Sequence, residues 1–261
     1  MKILSTCIAA AALLLSVFTA TWVNAAEANA RQLIDHLYLV GGHMPINDMV
    51  IELEENVASA EGEGSPTMVP SGKDKIYFKS PNKLRIDIVT SDPGGALDQK
   101  NMVIIRDGKN AWQYLSTGQY PVKKKVDEPS APLNVPFGIV KYPQDIDKNY
   151  TVTGTETIDN VKATVIKITN PTNPSEETTV WIDKSRWVPL KLFLKKKGDK
   201  GEIKKTVLYK DISKTKDGRF FPFRLEVKVN DVLQRVMIYK AIAFNVGLDE
   251  TLFTPMEKFV K

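Results

Sequence analysis

The chain has 261 residues, with 36 Lys and Arg against 31 Asp and Glu, and a formal net charge of +5. That excess is small for the length, and the lysines gather at turns instead of interleaving with aromatics, which argues against nucleic acid as a partner. The single cysteine, Cys7, lies in an N-terminal apolar stretch. Once that stretch is removed, disulfides, a thiolate nucleophile and any Cys-containing zinc site are excluded together.

Lys2, the apolar residues 8–18 and the small-residue site Val23, Asn24 and Ala25 read as a secretory signal peptide over residues 1–25. The alternative is an uncleaved anchor, since weakly apolar residues run on to Ala26 and a span needs about 20 of them. Ser, Thr and Asn in the second half of the stretch favour cleavage. Cys7 sits too early to become a lipid-modified N-terminus. Residues 26–261 carry no Pro/Gly/Ser-rich linker and are expected to form one domain, exported to the periplasm, without a thiol.

In residues 30–40 the apolar Ala30, Leu33, Ile34, Leu37 and Tyr38 fall at helical spacing, and Gly41 and Gly42 stop the helix. Strand patterns follow from Asp48. A polar loop is expected over residues 59–74, rich in Gly and Pro. Ile76 and Phe78, then Leu84, Ile86 and Ile88, alternate on either side of a Pro81-Asn82 turn. Met102 and Ile104 lead to an Asp107-Gly108 turn, with Trp112 and Tyr114 on the return strand; Asp159-Asn160 and Asn230-Asp231 are further hairpin signals. Residues 126–148 break the pattern with prolines, and residues 135–140 are expected to make a single helical turn. Leu190, Leu192 and Leu194 alternate with lysines, and Phe221, Phe223, Leu225, Val227 and Val229 with charged residues. About a dozen strands are more than an open sheet holds without curling. The expected fold is mainly β, a strongly curved, unclosed antiparallel barrel with an N-terminal helix and a short helical lid on its concave face.

Signals for catalysis are weak. His36 and His43 stand seven apart, too far for one metal without further ligands, and read as surface or interface residues. Glu52 and Glu54 share one strand face and read as its wet side, between Ile51 and Leu53. No hydrolase, zinc-protease, P-loop or dinucleotide motif is present, so neither an enzyme nor a cofactor or metal site is expected.

Lys79, Pro81 and Asn82, then Asp107, Gly108, Lys109, Trp112 and Tyr114, then Trp181, Ile182, Asp183, Pro189 and Leu190 resemble the LolA/LolB-like family of outer-membrane lipoprotein-sorting proteins. The Phe221, Pro222, Phe223 run and residues 248–255 are similar to its broader lipoprotein-sorting-like branch. The resemblance implies a cavity that holds acyl chains under a lid. Ile76, Phe78, Leu84, Ile86, Ile88, Met102, Ile104, Leu190, Leu192, Phe223, Leu225, Val227 and Met237 are its expected lining, with Met49, Met102 and Met237 as adaptable surfaces. Ser80 and Pro81 mark the lid turn. Where the family's carrier has an arginine that locks the lid, this chain has Ser80, which lacks the planar fork of donors.

Lys195, Lys196, Lys197, Lys200, Lys204 and Lys205 crowd one hairpin. They read as a docking patch for anionic headgroups or an acidic partner, or as a solvated hairpin that discourages edge pairing. The resemblance implies a monomeric periplasmic carrier of a lipoprotein or lipid, served by an inner-membrane exporter and an outer-membrane acceptor and so contributing to outer-membrane biogenesis. An RseB-like envelope lipid sensor is the alternative.

Overall fold

The computed structural model describes residues 29–37, 45–59, 67–90, 100–117, 120–126, 143, 145–171, 173–198 and 201–256. The expected signal peptide, the helical turn over residues 135–140, His43 and Lys200 lie outside them.

The helix α1 (Ala30–Leu37) is followed by β1 (Asp48–Ala58), β2 (Met68–Lys79), β3 (Lys83–Thr90), β4 (Lys100–Asp107), β5 (Ala111–Thr117) and β6 (Tyr120–Val126). After a short helix, α2 (Ile146–Asn149), come β7 (Tyr150–Ile158), β8 (Val161–Thr169), β9 (Glu177–Asp183), β10 (Val188–Gly198), β11 (Gly201–Lys214), β12 (Phe220–Val229) and β13 (Val232–Phe244). A 3-10 turn, Glu250–Phe253, is the last of the described elements. All the strands form one 13-stranded antiparallel sheet in the order β6-β5-β4-β3-β2-β1-β13-β12-β11-β10-β9-β8-β7. Two meanders therefore meet at a β1–β13 seam, and β6 and β7 are the outer edges of an unclosed sheet.

Turn chemistry explains much of this path. Asp159 and Asn160, with φ of 47° and 63°, and Asn230 and Asp231, with φ of 47° and 65°, take the left-handed pairs that tight hairpins require. Asp107 folds the β4–β5 turn by accepting the Lys109 and Asn110 N–H groups at 2.8 and 2.7 Å.

The expected loop over residues 59–74 is shorter than the sequence suggests, because β2 begins at Met68. Pro70 falls beside a register shift, where a missing N–H is tolerated. Gly72 permits a close approach, since a Cβ there would lie 2.7 Å from the Val89 carbonyl oxygen. Both residues look like loop formers in sequence yet serve a strand.

The main buried cluster draws Met49, Ile51 and Leu53 of β1, Ile76 and Phe78 of β2, Leu84 and Ile86 of β3, and Val207, Leu225, Met237 and Tyr239 of β11–β13 onto one face. This is the inner face. Helix α1 covers only its β7–β10 end, with Leu33, Ile34 and Leu37 buried against Ile166, Val180 and Ile182. Leu192 packs against both clusters, which places the helix on the same side as the main core.

Eight residues are too few for a stable isolated helix. Burial of each large apolar side chain, about 1.5–3 kcal/mol apiece, holds it instead. Asn29 caps its start by accepting the Gln32 N–H at 2.9 Å. Arg31 grips Asp147 of α2 through two hydrogen bonds, at 3.1 and 2.5 Å. His36 stacks on Trp187 with ring centroids 3.8 Å apart, an interface role.

On the outer face the C-terminal segment is strapped down. Buried Asp48 accepts the N–H groups of Val246, Gly247 and Leu248 at 2.6, 3.0 and 3.0 Å. Lys79 donates to the Leu248 carbonyl at 2.7 Å, and Lys79 and Lys83 both pair with Glu250. Phe253 is buried, and Met256 packs on the Val103, Ile105 and Tyr114 cluster.

Candidate functional site

The inner face grades from dry to charged along the strands. On β1 the inward residues run Met49, Ile51, Leu53, then Glu55. On β13 they run Phe244, Ile242, Tyr239, Met237, then Arg235, paired in register with Met49, Ile51, Leu53, Glu55 and Val57. On β11 the series is Tyr209, Val207, Lys205, and on β10 it is Leu192, Leu194, Lys196. Apolar columns on neighbouring strands thus take in charged side chains toward one rim, beside the β10–β11 hairpin, where Val57, Ile203 and Val229 stand among them.

At that rim the Arg235 guanidinium lies 2.6 Å from a Glu55 carboxylate oxygen, both partly withdrawn from solvent. Lys205 pairs in register with Leu194 and Val229. Burial pushes its ammonium below the usual lysine range, and the neighbouring Arg235 and Lys196 push the same way. Deeper in, Asp74 is buried and pairs with Leu53 and Ile88. Burial, then Tyr209, Asp74 and Glu55, hold the Tyr239 phenol well above its ordinary range, so it stays neutral.

The residues expected to line a cavity mostly share this face. Ile76, Phe78, Leu84, Ile86, Leu225, Val227 and Met237 are buried in the main cluster, and Ile88, Ile104, Leu192 and Phe223 pack against it while partly open. Met102 is partly open as well and accepts a Gln113 N–H on sulfur at 2.8 Å. Leu190 is a correction: it packs on the outer face with Trp181 and Val188. A register shift between Pro189 and Lys191 breaks the alternation that aligned it with Leu192.

A cleft of about 330 Å³ opens beside Leu190, Ile158, Val161 and Ile212, with Arg186 and Asp211 at its polar side. Its apolar side is the cluster that includes Trp181, with Tyr209 of the main cluster also reaching it. The Ser80 N–H donates to the Asn47 carbonyl at 2.7 Å, which anchors the β2–β3 turn to the start of β1. The basic side chains near this turn, Lys79 and Lys83, hold the C-terminal segment.

Glu52 and Glu54 point away from the inner face and pair with lysines: Glu52 with Lys75 at 2.7 Å, Glu54 with Lys240 at 2.9 Å and Lys73 at 3.4 Å. Lys240 first, then Lys73, keep the Glu54 carboxyl below its usual range despite some opposing desolvation. These carboxylates are the wet side of a strand.

The basic hairpin splits by strand parity. Lys195 and Lys204 share the outer side with Glu202, at 2.9 and 3.6 Å. Lys196 and Lys205 take the inner side, continuing the Leu192–Leu194 and Val207 columns. As a string the lysines group together, and the set of Lys205, Arg235 and Glu55 appears only in the register of the strands. The alternation Ile203, Lys205, Val207, Tyr209 carried the signal.

A long, unclosed antiparallel sheet with an apolar inner face and an N-terminal helix at one end is the LolA-like fold. The similarity is measurable. A LolA superfamily protein from Nitrosomonas europaea superposes with a TM-score of 0.56 at 14% identity, covering 87% of this chain and 98% of that one. A DUF1329 family protein from Desulfovibrio piger gives 0.58 at 13% identity, over 86% and 97%. A candidate outer membrane lipoprotein-sorting protein domain from Vibrio parahaemolyticus gives 0.54 at 14% identity, over 79% and 89%. A family model described only as an uncharacterized protein matches residues 141–257. No curated protein matches in sequence.

Proposed function

We propose that this chain is a periplasmic carrier that takes the acyl chains of a lipid or lipoprotein onto its inner face and moves them between membranes. The observation that carries the reading is the mismatch between that face and its cover. Helix α1 protects the β7–β10 end, whereas Ile88, Met102, Ile104 and Phe223 stay partly open beside the buried cluster. Such side chains gain by meeting a hydrocarbon chain, at about 0.8 kcal/mol per methylene buried.

The fold shared with a candidate lipoprotein-sorting domain supports the same reading. Residues 26–261 act as one exported domain after removal of residues 1–25, as a monomer. An inner-membrane exporter and an outer-membrane acceptor are the partners. The chain binds and releases its cargo without altering it, as a chaperone does.

The test is mass spectrometry of the protein purified from its native envelope, with uptake of a fluorescent fatty acid measured alongside. Bound lipid or acylated protein, together with saturable uptake, is expected. Recovery of neither would sink the carrier reading.

A further inference from the structure

We infer that Lys205, Lys196 and Arg235 form a recognition site for an anionic headgroup, phosphate or carboxylate, on an amphiphile whose hydrocarbon lies along the inner face. The proposal rests on the carrier reading and adds the charge class of the cargo. Three observations carry it.

The first is placement. All three cations sit at one rim, on the same side of the sheet as the apolar columns, because Lys205 pairs with Leu194, Lys196 follows Leu194 by two, and Arg235 pairs with Val57 two residues beyond Glu55. A chain laid along the columns therefore brings its polar end to this rim.

The second is imbalance. The outward lysines of the same hairpin, Lys195 and Lys204, share Glu202. Neither Lys196 nor Lys205 has an ion-pair partner among the described residues, and Glu55, the carboxylate on the same face, is engaged by Arg235. An anion would complete the set.

The third is burial. Lys205 is partly withdrawn from water, and its pKa is lowered by that burial and by Arg235 and Lys196. A half-buried ammonium beside like charges opposes folding wherever it is protonated, and an apolar residue of similar length would relieve that. Its presence is what a site for a negative ligand needs.

The experiment compares oleoyl lysophosphatidate with monoolein, which carries the same chain and no charge, and with inorganic phosphate, using the full mature protein. Wild type should bind lysophosphatidate at least tenfold tighter than monoolein, the value of one good charge-assisted hydrogen bond. Lys205→Met should lose about tenfold for lysophosphatidate, leave monoolein unchanged and raise Tm by about 2 °C. Lys196→Gln should weaken lysophosphatidate in the same direction, and Lys195→Gln should not.

Equal affinity for lysophosphatidate and monoolein, untouched by Lys205→Met, would overturn the headgroup site and leave the carrier reading standing. Binding of neither amphiphile would overturn both. Inorganic phosphate bound as tightly as the lysolipid would overturn the assignment to a lipid headgroup.

Discussion

Asp183 shows how one side chain fixes a turn. It is 2% exposed and accepts from the Ser185 N–H at 2.8 Å, the Ser185 hydroxyl at 2.6 Å and the Arg186 guanidinium at 2.5 Å. Burial alone would raise its pKa, but Ser185 and Arg186 outweigh it and the carboxyl is held below its usual value. A folded pKa below the unfolded one stabilises at pH above about 4 and is lost as pH falls through the folded value. Asp183→Asn should therefore cost about 1–3 kcal/mol at neutral pH. In acid titrations of urea stability the variant should lack the part of the wild-type decline below about pH 4; parallel acid limbs would count against this role.

Gly72→Ala tests the close approach to Val89, where the added Cβ meets a backbone carbonyl at 2.7 Å. A loss of about 1–3 kcal/mol in urea unfolding is expected, and an unchanged midpoint would show that the strand yields. Residue-scale chemistry was legible where it is local: the Asp159-Asn160 and Asn230-Asp231 turns follow from residues that tolerate positive φ. It was illegible where alternation crosses an irregularity. Leu190 and Leu192 have the same parity in the sequence, yet one inserted residue sends them to opposite faces.

Among the elements, α1 is held by side-chain docking more than by its own backbone. Its stacking partner Trp187 carries a φ of 56°, so the turn before β10 is bent to present that ring to His36. Leu37→Ala should loosen the helix before the sheet. Hydrogen exchange should show faster amides across α1 while β1, β2 and β13 keep their protection. Uniform loss across all of them would mean that the helix unfolds only with the whole.

The sequence made α1 legible by its spacing of Leu33, Ile34 and Leu37, and the strands by their period of two. The start of β2 was obscured because Pro70 and Gly72 carry turn statistics while serving a register shift and a tight strand contact. The basic hairpin looks like one patch in sequence for a related reason. Charge is visible in a string of letters, but a pleated strand divides neighbours between opposite faces.

At the scale of the molecule, the open sheet distinguishes this protein from a closed barrel of fixed bore. Its edges, β6 and β7, are not paired with one another, so the described strands do not close a continuous wall around the inner face. If hydrocarbon lies there, saturated fatty acids of increasing length should bind progressively tighter, by up to about 0.8 kcal/mol per methylene, with no abrupt cut-off. Calorimetric titration across the series checks this. A sharp optimum at one length would indicate a walled pocket. The fold class was readable from the number and alternation of strands; the strand order was not, because the seam between β1 and β13 joins segments at opposite ends of the sequence.

That seam sets an order of events for a chain delivered N-terminus first. β13 is the last of the described strands to emerge, and it sits between β1 and β12. Until it arrives, the greasy surface exists as separate strips on the two meanders, each ending on an open flank. A product truncated before Val232 has no β13 to bridge the strips, and is left as two unfinished sheets with open flanks.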